Sequence, residues 1–401
     1  MKTIGIIAEY NPFHNGHQYQ IETAKALTGA DYVVAVMSGD YVQRGAPAAF
    51  SKSLRTKAAL LGGADLVLEM PVFGSVAPAM DFAVCGVSLL THTGITDFLC
   101  FGSESGDLAQ LAEQAEKTEH ETKEISERIR EGLKAGMSWP SARARAYEDA
   151  ASLSLIQTPN DILGIEYLRA LKKSRSPIPP LVIKRKGSAY HDTDTPGPLA
   201  SAAAARKALL EDDQETLKKI LPPAAFALSI RQPVITLDDL SLLLNQKLLT
   251  ADKETLLAAS QMPKALADRL FKNRLHFTTA SDTAARSKDR QYTYARVSRC
   301  LLNVALGITA EQTMAFKFMD SAPWLRITGF KRSAAPLLAA LKKHTDLPIL
   351  SKTADAKNLL SPAAFRLLKK HLETAELYRL LCETKTGHPL PNEYTRPIII
   401  L

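Results

Sequence analysis

Short apolar runs recur through the first half of the chain, and stretches with helical periodicity separate them. The first four runs cover residues 4–8, 32–37, 66–70 and 98–101 and are about 30 residues apart. Continuously apolar strands at this spacing indicate a parallel sheet that helices cover on both faces. Residues 181–184 are the candidate for a fifth strand. The pattern predicts an α/β fold with a Rossmann-like, doubly wound parallel sheet.

Glycines mark the approach to three of these strands. Gly29, Gly63 and Gly94 each precede an apolar run, at the point where a helix is expected to end. Glycine readily takes the left-handed conformation that closes many helices. Ligands of such sheets bind beyond the carboxyl ends of the strands, so functional side chains are expected in the loops there.

The rest of the chain is predicted to be mostly helical, with Leu-rich patterns over residues 200–310. Residues 324–330 and 347–350 resemble short strands, which predicts a small α/β element among these helices. The patterns divide the chain into a sheet-forming domain, residues 1–198, and a largely helical region, residues 199–401.

The composition excludes several classes of protein. The 401-residue chain is 46% hydrophobic, which is ordinary for a globular protein. It has no apolar run near the roughly 20 residues that a membrane span needs, and it begins with a strand pattern rather than a signal peptide. Its four cysteines show no Cys-x-x-Cys spacing, which argues against a zinc site or a disulfide framework. We therefore predict a cytoplasmic protein with no membrane partner.

The charge is distributed unevenly along the chain. Residues 1–170 carry 14 Lys+Arg and 21 Asp+Glu, a net charge of −7, whereas residues 171–401 carry 36 and 21, a net of +15. Phosphate contacts dominate nucleic-acid affinity, so a basic half favours a nucleic-acid partner. The alternative is that these cations only solvate helix surfaces.

Residues 11–17 carry the strongest candidate chemistry. They read Asn-Pro-Phe-His-Asn-Gly-His, directly after the first strand and at the start of a helix. Gly16 would let the backbone approach a phosphate, and the helix N-terminus would attract the same anion. His14 and His17 could then donate hydrogen bonds to phosphoryl oxygens. The alternative is a helix-capping turn with two surface histidines, but the strand before and the helix after favour a nucleotide site.

This motif resembles that of the HIGH-motif nucleotidyltransferases, a superfamily that includes the class I aminoacyl-tRNA synthetases. Four more segments, at residues 37–45, 101–104, 158–161 and 183–192, make the resemblance specific to one family of this superfamily. They read Met-Ser-Gly-Asp-Tyr-Val-Gln-Arg-Gly, Phe-Gly-Ser-Glu, Thr-Pro-Asn-Asp and Ile-Lys-Arg-Lys-Gly-Ser-Ala-Tyr-His-Asp. Taken in this order, the five segments are similar to those of the tRNA(Met) cytidine acetate ligase family.

The resemblance implies an ATP-dependent ligase that modifies tRNA. Acetate would attack the α-phosphorus of ATP to give acetyl-adenylate and pyrophosphate. The N4 amine of the wobble cytidine of elongator tRNA(Met) would then take the acetyl group, giving N4-acetylcytidine. Mg²⁺ is expected to accompany the triphosphate, although no acidic cluster indicates a metal site held by the protein.

The resemblance also implies site residues. His14 and His17 would be catalytic. ATP contacts would come from Ile7, Ala8, Glu9, Tyr10, Asn11, Pro12, Phe13, His14, Asn15, Gly16, His17, Gln18, Tyr19, Gln20, Gly102, Asn160 and Arg185. Without the resemblance, Asn160 would be read as a helix cap and Arg185 as a solvated strand end. Arg44 could hold a phosphate or the acetate carboxylate, or form a surface ion pair.

Residues 199–206 depart from the superfamily pattern. A Ser/Thr-rich stretch ending in Arg is expected to bind the β- and γ-phosphates, but this segment reads Leu-Ala-Ser-Ala-Ala-Ala-Ala-Arg. Ser201 and Arg206 are retained, whereas alanine replaces the other hydroxyl positions. An alanine-rich helix alone would explain the run. Its contact with pyrophosphate therefore stays open.

Residues 286–299 are the preferred tRNA-contact segment. Arginines and lysine alternate there with Tyr292 and Tyr294. Cations can bind phosphates while tyrosines stack on unpaired bases. The alternative is a solvated helix start. Residues 107–135 are predicted to form a polar surface helix or lid without chemistry. Trp139, Arg143 and Arg145 could touch RNA, but a helix-entry turn with Pro140 at its first position is favoured.

Two other functions are compatible with the residues. A small-molecule nucleotidylyltransferase would keep the nucleotide in its product, but it needs no basic surface. A non-catalytic protein that binds nucleotide and RNA would not release pyrophosphate and would not need the two histidines.

Overall fold

The computed structural model describes residues 1–119, 123–137, 142, 145–146, 158–186, 197, 199–230, 232–276 and 278–401. The strands are β1 (Thr3–Ala8), β2 (Tyr32–Ser38), β3 (Tyr41–Val42), β4 (Ala46–Pro47), β5 (Leu66–Met70), β6 (Phe98–Ser103), β7 (Pro180–Lys184), β8 (Leu325–Phe330), β9 (Ile349–Leu350) and β10 (Ile399–Ile400).

The helices of the sheet-forming half are α1 (Asn15–Thr28), α2 (Lys52–Leu61), α3 (Val72–Ser75), α4 (Ala79–His92), α5 (Leu108–Glu119), α6 (Lys123–Lys134) and α7 (Pro159–Lys173). They are followed by α8 (Ala202–Leu210), α9 (Gln214–Ile220), α10 (Pro223–Ser229), α11 (Ser241–Thr250), α12 (Lys253–Ala258), α13 (Lys264–Asn273), α14 (Ala280–Ser287), α15 (Tyr294–Leu306), α16 (Ala310–Lys317), α17 (Ala335–His344), α18 (Ala356–Leu359) and α19 (Pro362–Thr386). Single 3₁₀ turns lie at Leu237–Leu240, Arg332–Ala334 and Thr353–Asp355.

One mixed sheet forms the centre of the molecule, with strand order β10-β8-β5-β2-β1-β6-β7 and β9 beside β8. Strands β5, β2, β1, β6 and β7 are parallel, which confirms the five predicted strands and the doubly wound class. Strand β8 is antiparallel to β5, and β9 and β10 are parallel to β8. The strands predicted near residues 324–330 and 347–350 therefore join the main sheet. The domain boundary at residue 199 stays a prediction, and strands from both sides of it share this sheet.

The parallel strands are apolar on both faces because helices cover both. Ile4 and Ile6 of β1 pack on one face with α1 and α2 residues such as Ile21 and Ala58. Ile7 faces the opposite side, which α4 and α7 cover. A β-carbon at Gly5 would lie 2.7 Å from the Leu90 side chain, so glycine allows α4 to pack closely.

The glycines predicted to precede the strands take the left-handed conformation. Gly29 caps α1 with φ 65°, as its position predicts. After α2 and α4, the left-handed residues Gly63 (φ 113°) and Gly94 (φ 64°) follow the cap residues Gly62 and Thr93. Each turn returns the chain to the start of the next strand.

A buried ionic cluster joins the first strands to the C-terminal part of the sheet. The Lys52 ammonium lies 3.3 Å from Asp40, 2.8 Å from Glu69 and 2.8 Å from Glu393. Arg326 of β8 contacts Glu69 and Glu393 at 3.0 and 2.6 Å. Lys52 is only 2% exposed, so removing a partner would leave an uncompensated buried charge.

The predicted polar helix at residues 107–135 consists of α5 and α6 in the described residues. It is not wholly solvated, because Leu111 and Ala115 of α5 are buried in the main core. Trp139 and Arg143 lie outside the described residues, as do residues 187–192 of the last family motif. No described helix is both long and apolar enough to cross a membrane.

Candidate active site

A cavity of about 340 Å³ lies at the carboxyl ends of β1 and β6. The starts of helices α1, α4, α7 and α8 and the loop between β3 and β4 complete its wall. This is where a doubly wound sheet places its ligands, and the volume lies within the usual range for small-molecule sites.

His14 and His17 form a stacked pair in the cavity wall. Their ring centroids are 3.7 Å apart with an interplanar angle of 23°. The Gly16 N–H donates to Nδ1 of His14 at 3.0 Å, and the His14 N–H donates to Nδ1 of His17 at 3.2 Å. The two rings thus cap α1 reciprocally, as a Ser/Glu capping box does.

Both histidines are held neutral. Burial, followed by the charges of Arg185 and Arg206, lowers the pKa of His14 to about 3. Burial, followed by His14 and Arg185, keeps the pKa of His17 well below its ordinary value. Since each Nδ1 accepts a backbone hydrogen bond, each neutral ring carries its hydrogen on Nε2. The pair therefore offers two fixed N–H donors without a charge.

Gly16 makes room for the His14 ring. A β-carbon at this position would lie 2.9 Å from Cε1 and 3.0 Å from Nδ1 of His14. Gly102 plays a similar part for Arg185, whose Cγ would lie 3.3 Å from a β-carbon there. These two glycines therefore shape the site by accommodating functional side chains.

Glu104 organises the start of α7 beside the cavity. Its carboxylate accepts a hydrogen bond from the Asn160 side chain and one from the Asp161 N–H at 3.1 Å. Arg185 lies 3.9 Å from the same carboxylate. Asn160 and Arg185, both in the wall, are thus positioned by one acidic residue.

The start of α8 faces the same cavity. Ser201 caps this helix by accepting from the Ala204 N–H at 3.3 Å, and Ala202 and Ala203 line the wall. Arg206 also lines the wall and donates to the Asn11 carbonyl at 2.8 Å. Burial lowers the pKa of its guanidinium from the ordinary value. The segment that lacks the expected hydroxyls still presents a helix N-terminus and an arginine.

The β3–β4 loop supplies Gln43 and Arg44 to the wall. The Gln43 N–H donates to Oε1 of Glu9 at 2.8 Å, and Arg55 donates to the Glu9 carbonyl at 2.7 Å. These bonds fix Glu9 at the end of β1, where the following residue, Tyr10, has the unusual φ of 48° for a non-glycine residue. A carboxylate is thereby held in a wall that is otherwise rich in cations.

The comparisons with known proteins agree with this geometry. The HIGH Nucleotidyl Transferase family matches residues 1–390. A protein of Acetivibrio thermocellus named tRNA(Met) cytidine acetate ligase is 33% identical, and the alignment covers 100% of both chains. The chain belongs to the tRNA(Met) cytidine acetate ligase family.

Solved structures place the whole fold in the same family. The crystal structure of Thermotoga maritima TmcAL in its apo form has a TM-score of 0.92 and 27% identity, with 100% of both chains covered. A second structure of that protein, bound with alpha-thio ATP, has a TM-score of 0.90 with the same identity and coverage.

The structure of this ligase-family member brings most of the predicted ATP-site residues together. Those in the cavity wall are Ile7, Ala8, Glu9, Tyr10, Asn11, His14, His17, Gln20, Gly102, Asn160 and Arg185. Those outside the wall are Pro12, Phe13, Asn15, Gly16, Gln18 and Tyr19. Their contacts differ: Phe13 is buried, Gln18 bonds to Glu22 at 2.7 Å, and Tyr19 lies under the Lys186 ammonium.

Sequence reasoning missed an apolar part of the wall. It consists of Ala79, Phe82, Phe101, Pro159, Ile162, Leu163 and Tyr167. The rings of Phe101 and Tyr167 pack with centroids 5.5 Å apart. Such residues look like ordinary core in a sequence, and only their position in β6, α4 and α7 beside the cavity distinguishes them.

The preferred tRNA-contact segment divides into two parts. Arg286, Lys288, Arg290 and Tyr294 are exposed. Arg299 instead turns inward, where its Nε donates to Gln261 at 3.2 Å and its NH1 donates to the Gln43 carbonyl at 3.3 Å. Burial lowers the pKa of Arg299 to about 10. This arginine therefore joins α15 to the loop that carries Gln43 and Arg44.

Proposed function

We propose that this protein activates acetate with ATP and transfers the acetyl group to the N4 amine of the wobble cytidine of elongator tRNA(Met). The observation that carries the proposal is the neutral, Nε2-protonated pair of His14 and His17 in a cavity lined by three arginines. Membership of the ligase family supports the reaction, and the alpha-thio ATP bound by Thermotoga maritima TmcAL supports the nucleotide.

In the first step, an acetate oxygen attacks the α-phosphorus of ATP and pyrophosphate leaves. Negative charge moves onto the non-bridging phosphoryl oxygens as the bond forms. The Nε2–H groups of His14 and His17 donate to those oxygens, and their fixed orientation requires no reorganisation during the reaction. Removing one such donor typically costs ~10²–10³-fold in rate.

The leaving pyrophosphate is assigned to the start of α8. Its backbone N–H groups and the positive end of the helix dipole attract phosphate without hydroxyl side chains. Arg206 adds a positive charge there, and Arg185 adds another in the same cavity wall. Backbone N–H groups therefore provide the phosphate contacts that Ser and Thr hydroxyls partly provide in the superfamily pattern.

Arg44 is proposed to orient the acetate carboxylate, because a guanidinium fork matches two carboxylate oxygens. The apolar part of the wall is available to the acetate methyl group. Mg²⁺ is proposed to accompany the triphosphate, since one or two carboxylates together with phosphates usually suffice for it. The described residues contain no group of three or more metal-binding side chains.

The tRNA is proposed to lie on the basic half of the chain, residues 171–401, with its net charge of +15. The exposed cations around α14 remain the preferred contacts. A wobble base is unpaired in the free anticodon loop, so it is accessible without opening a duplex. A cytoplasmic location, where tRNA is modified, stays a prediction.

The test is the exchange of labelled pyrophosphate into ATP, with and without acetate, followed by acetylation of elongator tRNA(Met). We expect exchange to require acetate and to fall by at least 10³-fold in the His14→Ala, His17→Ala double variant. The exposed pair His344→Ala, His388→Ala is the matched control and should behave as the wild type. Exchange without acetate, or full exchange in the His14/His17 variant, would contradict the proposal and redirect the search to phosphate-bearing acceptors.

A further inference from the structure

Glu9 is an electrostatic exception in the cavity. It is the one carboxylate among the described lining residues, whereas Arg44, Arg185 and Arg206 supply positive charge. ATP and acetate are both anions, so a carboxylate in the wall repels each of them. Its presence calls for a substrate group that is cationic or that donates a hydrogen bond.

The position of this carboxylate is well defined. Gln43 N–H holds Oε1 at 2.8 Å, and the Arg55 guanidinium, which is fully buried, holds the Glu9 backbone carbonyl. After burial, the charge of Glu9 is the next influence on the pKa of both Arg206 and Tyr167 and raises each, so the carboxylate is within electrostatic reach of both side chains. Oε1 is engaged, and Oε2 is the oxygen that a ligand would meet.

The aromatic side of the cavity fits a nucleobase. Phe82, Phe101 and Tyr167 line it, and aromatic side chains are the usual stacking partners of unpaired bases. A carboxylate is the side chain that matches the N4 amino donor of cytosine. An aromatic wall beside a carboxylate is therefore the chemistry expected for a flipped cytosine ring presenting its exocyclic amine.

We propose that Glu9 accepts a hydrogen bond, and then a proton, from the N4 amine of the target cytidine. This inference rests on the proposed function and assigns the base of its second step. N4 attacks the carbonyl carbon of acetyl-adenylate, forming the C–N bond. The nitrogen becomes cationic and acidic, Glu9 takes one of its protons, and the C–O bond to phosphate breaks to release AMP. The proton then passes to solvent, and atoms and charge balance.

The rival role is that of a Mg²⁺ ligand in the first step. A single carboxylate with phosphate oxygens can hold Mg²⁺, so the geometry around Glu9 does not by itself distinguish a metal ligand from a base. The two roles act in different steps, however. A metal role affects acetyl-adenylate formation, whereas the base role affects its consumption. Supplying synthetic acetyl-adenylate bypasses ATP and Mg²⁺ and so separates them.

The experiment is single-turnover acetylation of elongator tRNA(Met) from synthetic acetyl-adenylate, with the wild type and Glu9→Gln. Glutamine keeps the shape and can still accept from Gln43, but it cannot take a proton. We expect the rate constant at saturating tRNA to fall by ~10²-fold or more, with tRNA affinity changed much less.

Two further variants make the result interpretable. Glu9→Asp retains a carboxylate on a shorter stem and should recover part of the rate. Glu22→Gln removes an exposed carboxylate from α1 and should match the wild type. Pyrophosphate exchange measured over a Mg²⁺ series on the same preparations reports the first step.

The outcomes distinguish a failure of the role proposed for Glu9 from a failure of the proposed function. Wild-type transfer from acetyl-adenylate together with rapid transfer by Glu9→Gln would overturn the role of Glu9 and leave the proposed function intact. Rapid transfer with a raised Mg²⁺ requirement in exchange would assign Glu9 to the metal. An equal fall in the rates of both steps, with a lowered melting temperature, would mean that Glu9 only holds its loop in place. A wild type that neither exchanges nor transfers would refute the proposed function itself.

Discussion

The protonation state of the histidine pair gives the sharpest physical prediction. Both rings should stay neutral, with hydrogen on Nε2, from pH 8 down to about pH 5, because the pKa of His14 is about 3 and that of His17 also lies well below normal. An unperturbed histidine is half protonated near pH 6.5. Acid should therefore reduce stability before it charges these rings in the folded protein.

The magnitude follows from the linkage between protonation and folding. The folded pKa of His14 lies below the unfolded one, so the unfolded chain binds more protons once the pH falls below about 6.5. The contribution of His14 to stability is complete above that pH and is lost between pH 6.5 and about 3. At pH 5.0 the loss is about 1.5 pH units at 1.36 kcal/mol each, or about 2 kcal/mol. His14 is 3% exposed, so solvent screening reduces this little.

The assay combines ring NMR with denaturant unfolding. Spectra of ¹⁵N-histidine-labelled protein, assigned with His14→Asn and His17→Asn, report the tautomer and the titration of each ring. Asparagine is a good N-cap, so His14→Asn retains a cap while removing the titrating group. The unfolding midpoints of wild type and His14→Asn should converge as the pH falls from 7.5 to 5.0, whereas His388→Asn should run parallel to the wild type. A ring that titrates near pH 6.5, or a stability difference independent of pH, would refute this reasoning.

Three substitutions test other parts of the structure. Gly45→Ala should lower the melting temperature and the rate of pyrophosphate exchange, because φ is 83° and a β-carbon would lie 2.4 Å from the α15 backbone. Gly387→Ala, where φ is 69° but no atom lies near the new β-carbon, is the control for backbone strain alone. Equal effects of the two substitutions would contradict the steric argument. Lys52→Met should cost about 3–5 kcal/mol because it removes the ammonium that three buried carboxylates share and leaves only Arg326 beside Glu69 and Glu393. A smaller loss on chemical unfolding would mean that the cluster relaxes. Gly102→Ala should raise the KM for ATP severalfold, since its β-carbon presses on Arg185 at 3.3 Å, and an unchanged KM would place Arg185 away from the nucleotide.

The sheet was largely predictable because its strands are buried on both faces. Such strands are continuous apolar runs, and the glycines before them mark where each helix ends. The five parallel strands followed from the apolar runs, and three of them also have a glycine before them. The position of β8 in the sheet could not be predicted, because an alternating pattern identifies a strand but not the strand it pairs with. The pairing of β8 with β5 depends on packing and on the ion pair of Arg326 with Glu69.

The site was predictable where chemistry and chain position coincide. His14 and His17 stand at a strand-to-helix turn, so residue type and location agreed. Arg299 shows the opposite case, since its neighbours in sequence suggested a surface that binds RNA. Its side chain is directed inward by α15, whose buried face forms the helical core with residues such as Val297 and Leu301. The direction of a side chain on a helix depends on packing partners that are distant in sequence.

The pairing of β5 with β8 also has a consequence for biosynthesis. Arg326 and Glu69 contact each other across a separation of 257 residues. At ~5–20 residues per second, a ribosome would take on the order of tens of seconds to synthesise the intervening chain. During that interval one edge of β5 has no partner, and an unpaired strand edge is a template for aggregation. The nascent chain should therefore depend on chaperone protection, and slow translation through the helical segment should lower the soluble yield.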